Sequence, residues 1–129
     1  MIKYASRTGT KRNLLELRKY GWRLMVSAKG RLRHEGFQYA LDNGAWNAFQ
    51  QGKSFDTAAF RKALDRMGQD ADFVVAPDIV EGGIKSLALS KAWLPELKQK
   101  CQLTLVAVQD GMSPEHVRGI VSTDVGLFV

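Results

Sequence analysis

Short apolar runs alternate with helix-spaced patterns along the whole chain, and this alternation restricts the fold more than any other feature. Ile2–Ala5, Arg23–Ala28 (RLMVSA), Gln38–Leu41, Phe73–Ala76 (FVVA), Leu103–Val108 (LTLVAV) and the closing Gly126–Val129 (GLFV) read as strands. FVVA and LTLVAV suit strands buried on both faces. Thr10–Tyr20 reads as a helix with Leu14, Leu15 and Leu17 on one face and Gly21 as its stop. The spacing of Phe60, Ala63, Leu64 and Met67 predicts a helix over 56–67, capped by Asp56 and ended by Gly68. A third helix spans Ile84–Lys100, where Pro95 either kinks it or starts a second helix, and Ser113-Pro114 opens a short fourth.

Strands and helices at this spacing predict an α/β fold of parallel β/α repeats with right-handed crossovers. Six strands suffice for an open doubly wound sheet and fall short of an eight-stranded barrel. GLFV begins a strand that no helix follows. Residues 1–129 are read as one domain of five to six strands, either an open doubly wound sheet or the front part of a longer, partial (β/α)8 barrel truncated at its C-terminal end. No linker, low-complexity segment or internal repeat argues for a second domain.

Composition narrows the function. At 45% hydrophobic and 25% charged residues the chain belongs with globular domains, and no apolar run reaches the length of a membrane span. Its first residues lack the apolar stretch of a signal peptide, so a cytoplasmic location is expected. Cys101 is the only cysteine, and His34 and His116 stand far apart, so no metal site is expected and all three are assigned structural roles. The net charge of +6 is unevenly spread. Residues 1–34 carry ten Lys/Arg against one acid, Glu16, while the other 95 carry nine against twelve. Such segregation suits a polyanion such as nucleic acid; a solvated basic helix face is the plainer alternative.

In parallel β/α architectures ligands bind outside the carboxyl ends of the strands. Those ends carry Ser6–Asn13, then Lys29-Gly30-Arg31, Asp42-Asn43-Gly44-Ala45-Trp46, Pro77-Asp78 and Gln109-Asp110-Gly111. One Asp or Asn there is usually a turn former or a cap. Three strands delivering a carboxylate or amide to one rim suggest a pocket. Asp78 and Gln109 together suit a planar heterocycle: the carboxylate accepts two parallel N–H groups and the amide donates to a neighbouring carbonyl. Gly111 allows close backbone approach. Asp42 could move a proton as general acid or base. Trp46 reads as a core residue, with a stacking wall as the alternative. Lys11 and Arg12, with Arg7, sit near a helix N-terminus and suit phosphate, since cations there otherwise oppose the helix dipole. No P-loop and no G-x-G-x-x-G occurs, and no cofactor is implied.

Three of these segments, in order, resemble the tRNA-guanine transglycosylases, the queuine tRNA-ribosyltransferase-like family. YALDNGAW (39–46) is similar to their strand-end Asp-Ser-Gly-Gly-Phe motif, VVAPDIV (74–80) to the strand ending in a base-reading Asp, and VAVQDG (106–111) to their Val-Gln-Gly-Gly segment. GLFV resembles the strand that follows. The chain as a whole looks like the N-terminal part of phage-type members, relatives of which insert 7-deazaguanine bases into DNA. The resemblance implies a (β/α)8 barrel that exchanges a guanine base in DNA or tRNA by covalent glycosyl transfer. It implies Asp42 as the proton-transfer residue, Asp78 on the base's N–H edge, Asn43 in the motif beside them, and Gln109 with the backbone near Gly111 on the base carbonyl. Asn43, Ala45 and Asp110 depart from the family pattern. The family's nucleophilic Asp and the zinc site of its tRNA enzymes fall beyond Val129, so the chain corresponds to the base-recognition half, a fragment or a protein completed by self-association or a partner chain.

Two other readings stay open from the residues. One is a non-catalytic nucleic-acid or nucleotide-binding module that uses the same basic region. The other is an unrelated α/β protein whose Asp residues only cap turns, which predicts that Asp42, Asp78 and Gln109 do not converge.

Overall fold

The computed structural model describes residues 1–129. Its elements run β1 (Tyr4–Ser6), α1 (Lys11–Lys19), β2 (Arg23–Ser27), β3 (Tyr39–Asp42), α2 (Ala45–Gln50), α3 (Thr57–Ala63), β4 (Val74–Val75), α4 (Ile84–Lys100), β5 (Thr104–Ala107), α5 (Pro114–Arg118) and β6 (Val125–Phe128). All six strands are parallel and lie in sequence order, β1-β2-β3-β4-β5-β6. A doubly wound sheet reverses its strand order at a switch point. This sheet has no reversal, and successive crossovers of one hand then place the helices on one face, as in a β/α barrel. The fold is α/β and barrel-like.

The register separates the two faces. Leu24, Val26, Tyr39, Leu41, Val74, Ala76, Val106 and Val125 share one core with Leu14 of α1, Phe60 and Ala63 of α3, Leu87 and Leu97 of α4, and Val117 of α5. The opposite face carries Met25, Ala40, Val75, Leu105 and Ala107, offset by one residue in the same strands. Ala40 and Val75 are buried there, while Met25, Leu105 and Ala107 are only half-buried. Period-two alternation thus sends one set of side chains under the helices and the other toward the barrel interior.

The structure decides two points the sequence left open. α4 is a single helix from Ile84 to Lys100 that continues through Pro95, so Pro95 starts no second helix. Pro95 is exposed, so the Lys91 carbonyl that loses its donor faces the solvent side. Residues 45–50, assigned no element from sequence, form α2. This helix adds nothing to the shared core and sits at the carboxyl rim of the sheet. α3 runs on as a wider π-helical turn over Leu64–Gly68. No helix is long and apolar enough to cross a membrane.

Gly68 ends that turn against the end of α4, where an added Cβ would stand 2.7 Å from the Lys100 carbonyl oxygen. Backbone cannot swing aside as a side chain can. Gly68→Ala is expected to lower stability by about 1–3 kcal/mol, the usual cost of overpacking. Urea unfolding measures it, and an unchanged midpoint would contradict the close approach.

Candidate functional site

The carboxyl ends of β3, β4, β5 and β6 surround a cavity of about 340 Å³ on the barrel-interior side of the sheet. Asp42, Asp78 and Gln109 all line it, so the prediction that they lie apart fails. Each arrives by a separate local device. Asp42 is the last residue of β3 and follows Ala40 on the interior face, paired in register with Ser27 of β2. Gly44 then turns the chain at φ +80° and starts α2. A Cβ at Gly44 would approach Lys29 Cγ to 2.8 Å, so both conformation and space require glycine. The Gly44 N–H donates back to Asp42 Oδ2 at 3.0 Å.

Asn43 is buried and its amide is committed within the chain. Its Oδ1 accepts the Ala45 N–H at 2.7 Å, and its Nδ2 donates to the Ala76 carbonyl and to Asp78 Oδ1, each at 2.7 Å. Gln109 is committed in the same way. Its Oε1 accepts the N–H groups of Gly82 and Gly83 at 3.1 and 3.0 Å. Its Nε2 faces Asp78 Oδ2 at 3.0 Å, the Ile79 carbonyl at 3.0 Å and Ser86 Oγ at 3.2 Å. Two amides therefore grip the two oxygens of Asp78 and fix the plane of its carboxylate, leaving one lone pair on each oxygen. Ser86 and Ser90, buried on α4, complete the support: Ser86 Oγ accepts the Ile79 N–H and Ser90 Oγ donates to the Pro77 carbonyl.

Burial lifts the Asp42 carboxyl above the ordinary aspartate range. The Gly44 N–H bond pulls in the other direction, and the charge on Asp78 adds to the rise. A raised carboxyl is a better proton acceptor near neutral pH. It also links stability to pH. Because the folded value exceeds the unfolded one, Asp42 supports the fold fully below the unfolded carboxylate pKa, and that support is lost as pH rises through the folded value. Asp42→Asn keeps an acceptor for Gly44 and carries no charge. It is expected to raise the melting temperature at pH 7 and to lose that advantage in acid, where Asp42 is neutral in both states. Calorimetric scans at the two pH values measure this, and a lower melting temperature at pH 7 would refute it.

Sequence reasoning missed or misplaced two lining residues. Trp46 is not in the core. It is 58% exposed on α2, lines the cavity, and stacks on Phe49 with ring centroids 5.8 Å apart. An exposed tryptophan resulted because α2 lies at the rim rather than under the sheet. Glu81 also lines the cavity, held at φ +59° in the loop that leaves β4. Left-handed backbone is uncommon for glutamate, and nothing in the local sequence beyond the following Gly82-Gly83 signals it. Asp42, Asp78 and Glu81 are joined by no Lys or Arg in the lining, so the cavity is acidic within a chain of net charge +6. No three His, Cys, Asp or Glu side chains are grouped so as to hold a metal ion. His34 and His116 each accept a backbone N–H, from Gly36 and Ser113, and Cys101 is buried and donates to the Leu97 carbonyl.

The remaining residues singled out from sequence lie elsewhere. Gly111 takes φ +89° in the exposed turn after β5 and does not line the cavity. Arg7 is turned onto Glu35 at 2.6 Å and donates to the Arg33 carbonyl at 3.1 Å, so its charge is engaged. Lys11 and Arg12 are exposed on the first turn of α1, whose N-cap Thr10 makes no side-chain cap.

Fold and site together define an α/β barrel-like protein with an acidic cavity at its strand ends. No protein-family model, curated protein or solved structure matches the chain.

Proposed function

We propose that the strand-end cavity binds a guanine-type base, guanine or a 7-deazaguanine, and that the chain is the base-recognition part of a transglycosylase acting on DNA or tRNA. One observation carries this reading: Asp42 and Asp78, from the neighbouring strands β3 and β4, line one cavity that contains no cation. Such a cavity favours a ligand rich in N–H donors. The fixed plane of Asp78 suits two parallel N–H groups, the pattern on a guanine edge. Trp46 supplies an exposed ring on which a base can stack. Asp42, raised by burial, takes or returns the proton that a leaving base requires. Lys11 and Arg12 are exposed cations for the polymer's phosphates. The order of the three strand-end motifs, which resembles that of the tRNA-guanine transglycosylases, adds weight.

In this reading the chain binds the base and moves the proton, and the nucleophile of glycosyl transfer comes from outside the cavity's lining. A non-catalytic nucleic-acid or nucleotide-binding module is the second reading. It is favoured by the Gln109 amide, which is already saturated by partners in this chain. Calorimetric titration with guanine and with a 7-deazaguanine tests the first reading. Saturable binding that Asp78→Asn weakens at least about tenfold is the expected result. Absence of binding by a folded, monodisperse sample would overturn it.

A further inference from the structure

A second groove, of about 390 Å³, lies away from the acidic cavity. It is lined by Arg31 and Arg33 from the loop after β2 and by Ala59, Lys62 and Arg66 from α3 and the π-helical turn that extends it. Four cations and no acid line it. Ala59 and Lys62 of α3 and Arg66 of the π-helical turn line the groove together, facing the loop. Arg31, Lys62 and Arg66 make no side-chain hydrogen bond or ion pair within the chain. Arg33 stands 3.6 Å from Glu35, already bound to Arg7, and is 65% exposed. Like charges at i, i+4 oppose a helix, and two arginines facing them add to the repulsion. Water and salt screen these exposed charges, and an anion seated among them would offset the remaining repulsion.

The groove also has a direction. Ala28 and Gly30 line it, and Lys29 between them lines a polar cavity of about 690 Å³ with Asn47, Lys53 and Asp56, to which Lys29 is paired at 2.8 Å. Asn47 follows Trp46, which lines the acidic cavity. A smaller hollow lined by Ala48, Lys53, Phe55, Asp78 and Val80 shares residues with both the polar and the acidic cavities, and the Ala28–Gly30 segment borders the polar cavity and the cationic groove.

We propose that the Arg31, Arg33, Lys62 and Arg66 groove is a phosphodiester track that holds the backbone of a nucleic-acid strand. The strand's adjoining nucleotides lead past Lys53 toward the cavity beside Trp46. This rests on the nucleic-acid part of the reading above, not on recognition of a guanine base. The occupant is a nucleic acid rather than a membrane surface. None of the chain's large exposed apolar side chains lines the groove, whereas membrane-bound surfaces combine cations with inserting apolar groups.

The test uses an all-thymine single strand of about twenty nucleotides, long enough for several phosphate contacts. It contains no guanine, so failure of base recognition leaves the result readable. Fluorescence anisotropy across a salt series compares the wild-type chain with R31Q/K62Q/R66Q. A control, K85Q/K91Q/K98Q, removes the same charge from the exposed face of α4. All six positions are exposed, and circular dichroism checks that the variants are folded. The groove variant is expected to flatten the slope of log affinity against log salt by about 2, from the roughly 0.7 counterions released per single-strand contact. The control should keep the wild-type slope. No binding by the wild type, an equal loss in both variants, or binding to phosphatidylserine vesicles without binding to the strand would each overturn the proposal.

Discussion

Phe60→Ala is expected to lower the unfolding free energy by about 3–5 kcal/mol, the usual cost of emptying an aromatic core site. Phe60 is fully buried and is the largest side chain with no exposure. It packs edge-on against Trp93 of α4, with centroids 5.3 Å apart and planes at 81°, and against Phe55 at 5.8 Å. These contacts join α3 to α4, and α4 carries Ser86 and Ser90, which hold the loop bearing Asp78. Domains of this size are stable by about 5–15 kcal/mol, so the loss removes a large share of the total. Guanidinium unfolding should show a lower midpoint with an unchanged slope, and Phe60→Leu a smaller loss because it refills part of the space. A change under about 1 kcal/mol would mean that α3 and α4 do not depend on this contact.

Asp78→Asn is expected to act on both binding and stability. The variant keeps the size of the side chain but replaces one acceptor oxygen with an N–H donor. Asn43 Nδ2 and Gln109 Nε2 now each find an acceptor oxygen on Asp78, at 2.7 and 3.0 Å. In the variant one of the two donors meets another donor, which costs about 1–3 kcal/mol. Loss of the charge that receives the base's N–H groups should weaken guanine binding at least about tenfold, given roughly 1.5–3 kcal/mol for a hydrogen bond to a charged group. Asp78→Glu separates the two effects: it retains the charge but displaces the carboxylate plane. If Asp78→Asn binds guanine as the wild type does, Asp78 is only a brace for the β4–α4 loop, and base recognition fails with it.

The candidate site was readable where strands end and not where side chains turn. Asp42, Asp78 and Gln109 were found because parallel strands deliver their next residues to one rim. The roles of Asn43 and Gln109 as braces for Asp78 were not visible, because their partners are the Ala76 carbonyl and the Gly82 and Gly83 amides, known only once loops are placed. The charge pattern behaved similarly. Of the ten cations in the N-terminal third, Arg7, Arg23 and Lys29 are engaged by Glu35, Asp72 and Asp56. The cationic groove instead combines Arg31 and Arg33 with Lys62 and Arg66, about thirty residues later in the chain.

The sequence by itself determined the parallel α/β class and most of the element order. These follow from local period: apolar runs of four to six make strands, i, i+3, i+4, i+7 stripes make helices, and short connections admit one hand of crossover. Tertiary structure decided that the strands stay in sequence order, that residues 45–50 form a rim helix exposing Trp46, and that Glu81 joins the acidic cavity. It also decided which cations are paired and which converge unpaired. Those outcomes depend on contacts between residues distant in sequence, and no local period encodes them.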